Sequence, residues 1–242
     1  MKIGVFDSGF GGLTTLKQIV KALPQYDYIY LGDNARAPYG DRSERVITEF
    51  TRQGVEYLFK KDCALVILAC NTASARALRH LQQEWLTQCY PDRRILGIVI
   101  PIAEEIALVK GVQKIGVIGT RATISSNVYA KELEKLGRKD LIILQESCPL
   151  LVPLIEEGWE KTIPATMIVK TYLRPLKIKQ IHTLVLGCTH YPIIIKKIQR
   201  IMGKNVRVLE PGSIVAKSLK DYLKRHPDIE ILLEKKGTIE LS

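Results

Sequence analysis

No stretch of this chain approaches the roughly 20 unbroken apolar residues that a bilayer-crossing helix needs. Its start, Met1-Lys2-Ile3-Gly4-Val5-Phe6-Asp7, lacks the long apolar run of a signal peptide. A cytoplasmic protein with no membrane partner is therefore expected. Cysteine pairs at CxxC spacing are missing as well: Cys63, Cys70, Cys89, Cys148 and Cys188 are scattered, with no Cys/His cluster at zinc spacing. That argues against a disulfide framework and a structural metal, and leaves each cysteine as a buried small hydrophobe or a reactive thiol. Helix-turn-helix, zinc-finger and RNP-like patterns are absent, so the formal charge of +11 does not by itself make a nucleic-acid-binding protein. The charge suits any acidic partner, a small anionic substrate included. Lys196, Lys197, Arg200, Lys217, Lys220 and Lys224 are spread along presumed helix faces, as solvated surface residues are. No lysine-centred motif demands pyridoxal phosphate. Gly9-Phe10-Gly11-Gly12 only partly matches the dinucleotide fingerprint and reads better as a tight strand-to-helix turn able to receive a carboxylate. No cofactor and no metal are expected.

What is present is a rhythm of short apolar runs alternating with segments of helical period, in a chain that is 46% hydrophobic. That rhythm predicts βα units around parallel sheets. Strands are expected at Lys2 to Phe6, Tyr28 to Leu31, Ala64 to Ala69, Arg94 to Val99, Lys114 to Ile118, Leu141 to Leu144, Thr183 to Leu186 and Arg207 to Leu209. Helices are expected from Leu13 to Leu23, stopped by Pro24, from Ser43 to about Phe59 with Ser43 as cap, and from about Thr72 towards Leu86.

The chain also repeats itself. Ile3-Gly4-Val5-Phe6-Asp7-Ser8 is echoed by Ile115-Gly116-Val117-Ile118-Gly119-Thr120, 112 positions later. Leu65-Val66-Ile67-Leu68-Ala69-Cys70-Asn71-Thr72 is echoed by Leu184-Val185-Leu186-Gly187-Cys188-Thr189-His190. The repeats predict two similar α/β parallel-sheet domains with pseudo-twofold symmetry: residues 1–97 plus 211–242, carrying Cys70, and residues 98–210, carrying Cys188. Ligands of open parallel sheets bind beyond the carboxyl ends of strands, so both cysteines belong at one site between the domains. A cysteine just ahead of a helix sits in the helix N-terminal field, which lowers a thiol pKa. A lone strand-end cysteine is commonly inert, but two in matched settings suit inversion of a stereocentre, which needs a base on one face and an acid on the other. Cys63, Cys89 and Cys148 lack such surroundings, so alkylation is expected to be fastest at Cys70 or Cys188.

Asp7-Ser8-Gly9 with Gly11-Gly12, Gly32-Asp33, Pro38-Tyr39-Gly40, Ala69-Cys70-Asn71-Thr72-Ala73-Ser74 and Gly187-Cys188-Thr189-His190-Tyr191-Pro192 together closely resemble bacterial glutamate racemases. Motif order and spacing agree from residue 3 to about residue 217, and Val152-Pro153-Leu154-Ile155-Glu156-Glu157 falls where that family has a similar acidic segment. The resemblance implies interconversion of L- and D-glutamate without cofactor, with Cys70 serving the D-isomer's α-proton and Cys188 the L-isomer's. D-glutamate would enter peptidoglycan.

By the same resemblance Asp7 assists Cys70, while His190 and Glu156 assist Cys188. Ser8, Asn71, Thr72 and Thr189 hold the α-amino and α-carboxylate groups; Pro38, Tyr39, Gly40, Thr120 and Thr123 hold the side-chain carboxylate. Plainer roles compete: Asp7, His190 and Thr120 also suit helix caps, Glu156 a helix-start carboxylate, and Pro-Tyr-Gly an ordinary turn. A homodimer is implied too; some members act on DNA gyrase, though no residue here speaks for a gyrase or nucleic-acid contact. The competing enzymes are other two-cysteine members of the superfamily, such as aspartate racemase, hydantoin racemase or maleate isomerase. Many relatives continue further past Glu210-Pro211-Gly212, so an absent or shortened final helix is expected.

Overall fold

The computed structural model describes residues 1–111 and 113–242. Buried apolar runs become strands because helices cover both faces of each sheet: every residue of β3 (Cys63–Leu68) is buried. Around it lie β1 (Lys2–Asp7), β2 (Tyr28–Gly32) and β4 (Arg94–Gly97); the second sheet contains β5 (Lys114–Gly119), β6 (Ile142–Ser147), β7 (Thr183–Gly187) and β8 (Arg207–Leu209). The first sheet runs β4-β3-β1-β2 and then β9 (Ile239–Leu241); the second runs β6-β5-β7-β8. All the pairings are parallel.

Strand order reproduces the repeat in the sequence. β1 lies between β3 and β2, as β5 lies between β7 and β6, with β4 and β8 outside β3 and β7. The echoed strands thus occupy equivalent places, and β9 is the one strand of the first sheet without a counterpart.

Three strands differ from expectation by more than one residue at an end. β4 stops at Gly97 because the Ile98 N–H is taken by the Ser74 hydroxyl at 3.0 Å, and the chain turns into the helix Val99–Ala107. β6 runs on through Gln145, Glu146 and Ser147, an edge strand too polar and too exposed to show as an apolar run. β9 has two exposed residues in three, and its apolar Ile239 and Leu241 are too few to stand out as a run.

Ser43 does cap the helix Glu44–Lys60, accepting the Val46 N–H at 3.4 Å. The third expected helix is instead broken into Asn71–Arg76, Leu78–His80, a wide turn at Leu81–Trp85 and Leu86–Cys89. The helix Leu13–Ala22 buries Leu16 and Ile19 in the same cluster as Val215, Ala216, Leu219 and Leu223 of the helix Pro211–Arg225. Among the described residues no helix is long and apolar enough to cross a membrane.

Candidate active site

Cys70 stands two residues beyond β3, and Cys188 directly follows β7. Both line a single cavity of about 60 Å³ between the carboxyl ends of the two sheets. Cys70 caps the short helix Asn71–Arg76, its sulfur accepting the Ala73 N–H at 3.5 Å, and its Sγ is 3.4 Å from the Ser8 hydroxyl.

Asp7 lies beneath, fully buried. Its carboxylate accepts the Gly9 N–H at 3.1 Å, the Gly12 N–H and the Thr189 hydroxyl at 3.2 Å. Burial nonetheless pushes its pKa up to about 7, against all three bonds. Gly12 is the N-cap residue of the following helix, so Asp7 also meets that helix start. The glycine loop therefore does receive a carboxylate, and it is the protein's own. Its glycines also permit close approach between the halves: a Cβ on Gly11 would stand 2.4 Å from Thr189 Oγ1 and 2.5 Å from His190 Nδ1.

On the other side, Cys188 Sγ is 3.8 Å from His190 Nδ1, and His190 Nε2 is 3.0 Å from Glu156 Oε1. Glu156 ends the helix Leu151–Glu156 rather than starting one, and His190 makes no side-chain cap. Burial lowers the His190 pKa and Glu156 opposes it; burial is the larger effect, which favours neutral imidazole. In that state Nε2–H donates to Glu156 and Nδ1 is left to accept the Cys188 S–H.

The thiols themselves differ from expectation. Burial pushes Cys70 up to about 11, with Asp7 adding to the effect, and drives Cys188 well above the ordinary thiol range. The helix N-terminal field loses because the Asn71–Arg76 helix is short and offers the sulfur only one long N–H bond, while desolvation acts on the whole side chain.

Among the other expected residues, Ser8, Asn71, Thr72, Thr120 and Thr189 reach the cavity wall, as do Pro38, Tyr39 and Gly40. Thr123 does not; it sits behind, 3.3 Å from the Thr72 hydroxyl and 3.0 Å from that of Thr120. Thr72 and Thr120 meet across the halves at 2.9 Å, and Thr120 also caps its helix through the Thr123 N–H. The Tyr39 hydroxyl donates to Asp33, so that group is already committed. Gly40 abuts Thr120, where a Cβ would come within 2.9 Å. Sequence reasoning missed Pro149, Val152, Pro153 and Arg121 on the wall, and Tyr129 behind it, whose hydroxyl donates to Asn71 Oδ1 at 2.7 Å.

The sequence pattern of the Asp/Glu/Hydantoin racemase family matches residues 3–219, most of the 242 residues. The chain belongs to that family. Members of the Asp/Glu/Hydantoin racemase family are isomerases, and so is this protein. It is 42% identical to the glutamate racemase of Aquifex aeolicus over 242 residues, all of this chain and 87% of that one. Its fold is similar to the crystal structure of glutamate racemase isoform RacE1 from Bacillus anthracis, with TM-score 0.89 and 35% identity, covering 99% of this chain and 86% of that one. The Francisella tularensis glutamate racemase, solved in complex with D-glutamate, gives TM-score 0.86 and 34% identity, covering 99% and 86%. The two parallel-sheet α/β halves are the architecture of these racemases.

Proposed function

We propose that this racemase interconverts L- and D-glutamate by moving the α-proton between Cys70 and Cys188. One observation carries the reading: two cysteines from equivalent strand ends share one cavity, each beside its own proton-handling group, in a chain 42% identical to glutamate racemases along its whole length. Cys70 as thiolate removes the α-proton of D-glutamate, and the Cys188 S–H delivers a proton to the opposite face, giving L-glutamate; the reverse reaction exchanges the roles. Atoms balance at each turn: one thiol is gained, one is spent, and the pair is reset through Asp7 on one side and His190 on the other.

At neutral pH Cys70 rests as the thiol, since burial pushes its pKa up to about 11. Asp7, pushed up to about 7, is a suitable acceptor for that proton, and the ammonium of a bound amino acid favours the thiolate further. His190, held by Glu156, serves Cys188 in the same way. Ser8, Asn71, Thr72 and Thr189 hold the α-substituents; Pro38, Tyr39, Gly40 and Thr120 enclose the side-chain carboxylate, with Thr123 bracing the threonines. D-glutamate for peptidoglycan is the corresponding product, made in the cytoplasm by a homodimer whose protomers each comprise residues 1–97 with 211–242 and residues 98–210.

The test is the decay of the circular dichroism of L-glutamate, run beside L-aspartate. Decay of L-glutamate at a rate at least tenfold above L-aspartate supports the reading. Faster decay of L-aspartate moves the protein to the aspartate branch.

A further inference from the structure

One buried donor in the site is unused. Asn71 is only 2% exposed and lines the cavity, its Oδ1 accepts the Tyr129 hydroxyl, and its Nδ2 finds no partner among the described residues. A buried amide N–H2 left without an acceptor is costly, so such a group in a binding cavity is spare capacity for a ligand. Nδ2 only donates, so what completes it is an acceptor, a carboxylate oxygen rather than an ammonium.

Tyr129 decides which end of that amide faces which way. It is the second residue of the helix Val128–Lys135, reached through the left-handed Asn127 at φ 55°, and it is fully buried. Its ring packs at 3.5 Å from the position of a Cβ on Gly187, the residue before Cys188, while its hydroxyl reaches the residue after Cys70. One side chain of the second half thus spans both cysteine loops. Burial and the nearby Cys188 keep the phenol protonated, and that proton is the one given to Asn71 Oδ1. With Oδ1 taken by the tyrosine, Nδ2 is the end of the amide left to a ligand.

We infer that Tyr129 is a positioning residue for substrate binding: it holds the Asn71 amide with its N–H2 open to a carboxylate oxygen of the amino acid and ties that grip to the Cys188 loop. The inference rests on the proposed glutamate reading. It gives a binding role to a helix residue that the sequence pattern leaves unmarked.

The test is Tyr129→Phe, which keeps the ring and removes the hydroxyl. KM for L-glutamate rises roughly tenfold, the loss of one charge-assisted hydrogen bond, while kcat stays within about twofold. Added to Asn71→Ala, Tyr129→Phe produces no further rise in KM, since both remove the same interaction. An unchanged KM, a fall confined to kcat, or additive losses in the double variant overturns the inference. Wild-type protein that leaves L-glutamate unchanged overturns the glutamate reading with it, whereas an active wild type with an indifferent Tyr129→Phe overturns the inference alone. Wild-type NMR answers even where the variant does not fold. The Tyr129 hydroxyl proton exchanges slowly, and the Asn71 side-chain amide signals move on adding L-glutamate. A fast-exchanging hydroxyl or an unmoved amide contradicts the assignment.

Discussion

At Asp7 two backbone N–H groups and a threonine hydroxyl stabilise the carboxylate, yet complete burial outweighs them and its pKa rises to about 7. The folded form then keeps a proton between about pH 4 and 7 that the unfolded chain has released. Asp7 therefore costs stability progressively as pH rises through that window, up to the order of 4 kcal/mol above it. Asp7→Asn raises the melting temperature more at pH 8 than at pH 4, and lowers kcat by 100-fold or more; a stability difference that is flat with pH contradicts the account. In the wild type kcat/KM falls about tenfold per unit below pH 7. It falls equally for both isomers, because an equilibrium constant of one binds the two values together at every pH. Burial revises the alkylation expectation. Cys89 is exposed while Cys70 and Cys188 are buried with raised pKa values, so Cys89 is predicted to react first, without loss of activity. Inactivation follows slowly at Cys70 or Cys188 and is retarded by glutamate; activity loss that tracks Cys89 labelling speaks against the assignment.

The loop between β1 and the helix Leu13–Ala22 carries more of the site than its glycines announce. Gly11 faces Thr189 and His190 so closely that Gly11→Ala displaces both, which predicts a loss of kcat/KM of at least 100-fold with a stability loss of about 1–3 kcal/mol, measured by kinetics and urea melts. Unaltered kinetics in a folded Gly11→Ala protein contradicts this contact. Elements of this kind were legible in part. Apolar runs announced β1, β3, β5 and β7, and the repeated strand-cysteine motif announced where the site lies, because parallel strands buried on both faces leave a continuous apolar signature. The three-residue β9 and the polar end of β6 left too short a run to read, being exposed edges. Tyr129 was invisible because its role depends on two halves meeting, and the raised thiol pKa values because burial is a property of the assembled fold.

At the scale of the whole molecule the halves are joined beside the cavity. Arg76 of the first half donates to the Ala122 carbonyl at 2.9 Å and to the Ser125 hydroxyl at 2.6 Å, and Arg79 bonds both oxygens of Glu132. A ligand held by both halves adds to this joint. Saturation with glutamate at 100 times Kd stabilises the fold by about 2.7 kcal/mol. For a chain of this size that is a rise in melting temperature of about 5–10 °C. An unmoved melting curve at saturating glutamate contradicts a site shared between halves. The repeated strand order makes the two cysteines equivalent in position, and the chemistry requires them to be complementary in action. Racemisation of L-glutamate in deuterated water, with the wild type beside Cys70→Ser and Cys188→Ser, tests that most directly. The account predicts that early D-glutamate carries solvent deuterium at Cα while unreacted L-glutamate keeps its proton, and that each serine variant loses racemisation. Equal early deuteration of both isomers, or full activity in either variant, would contradict it.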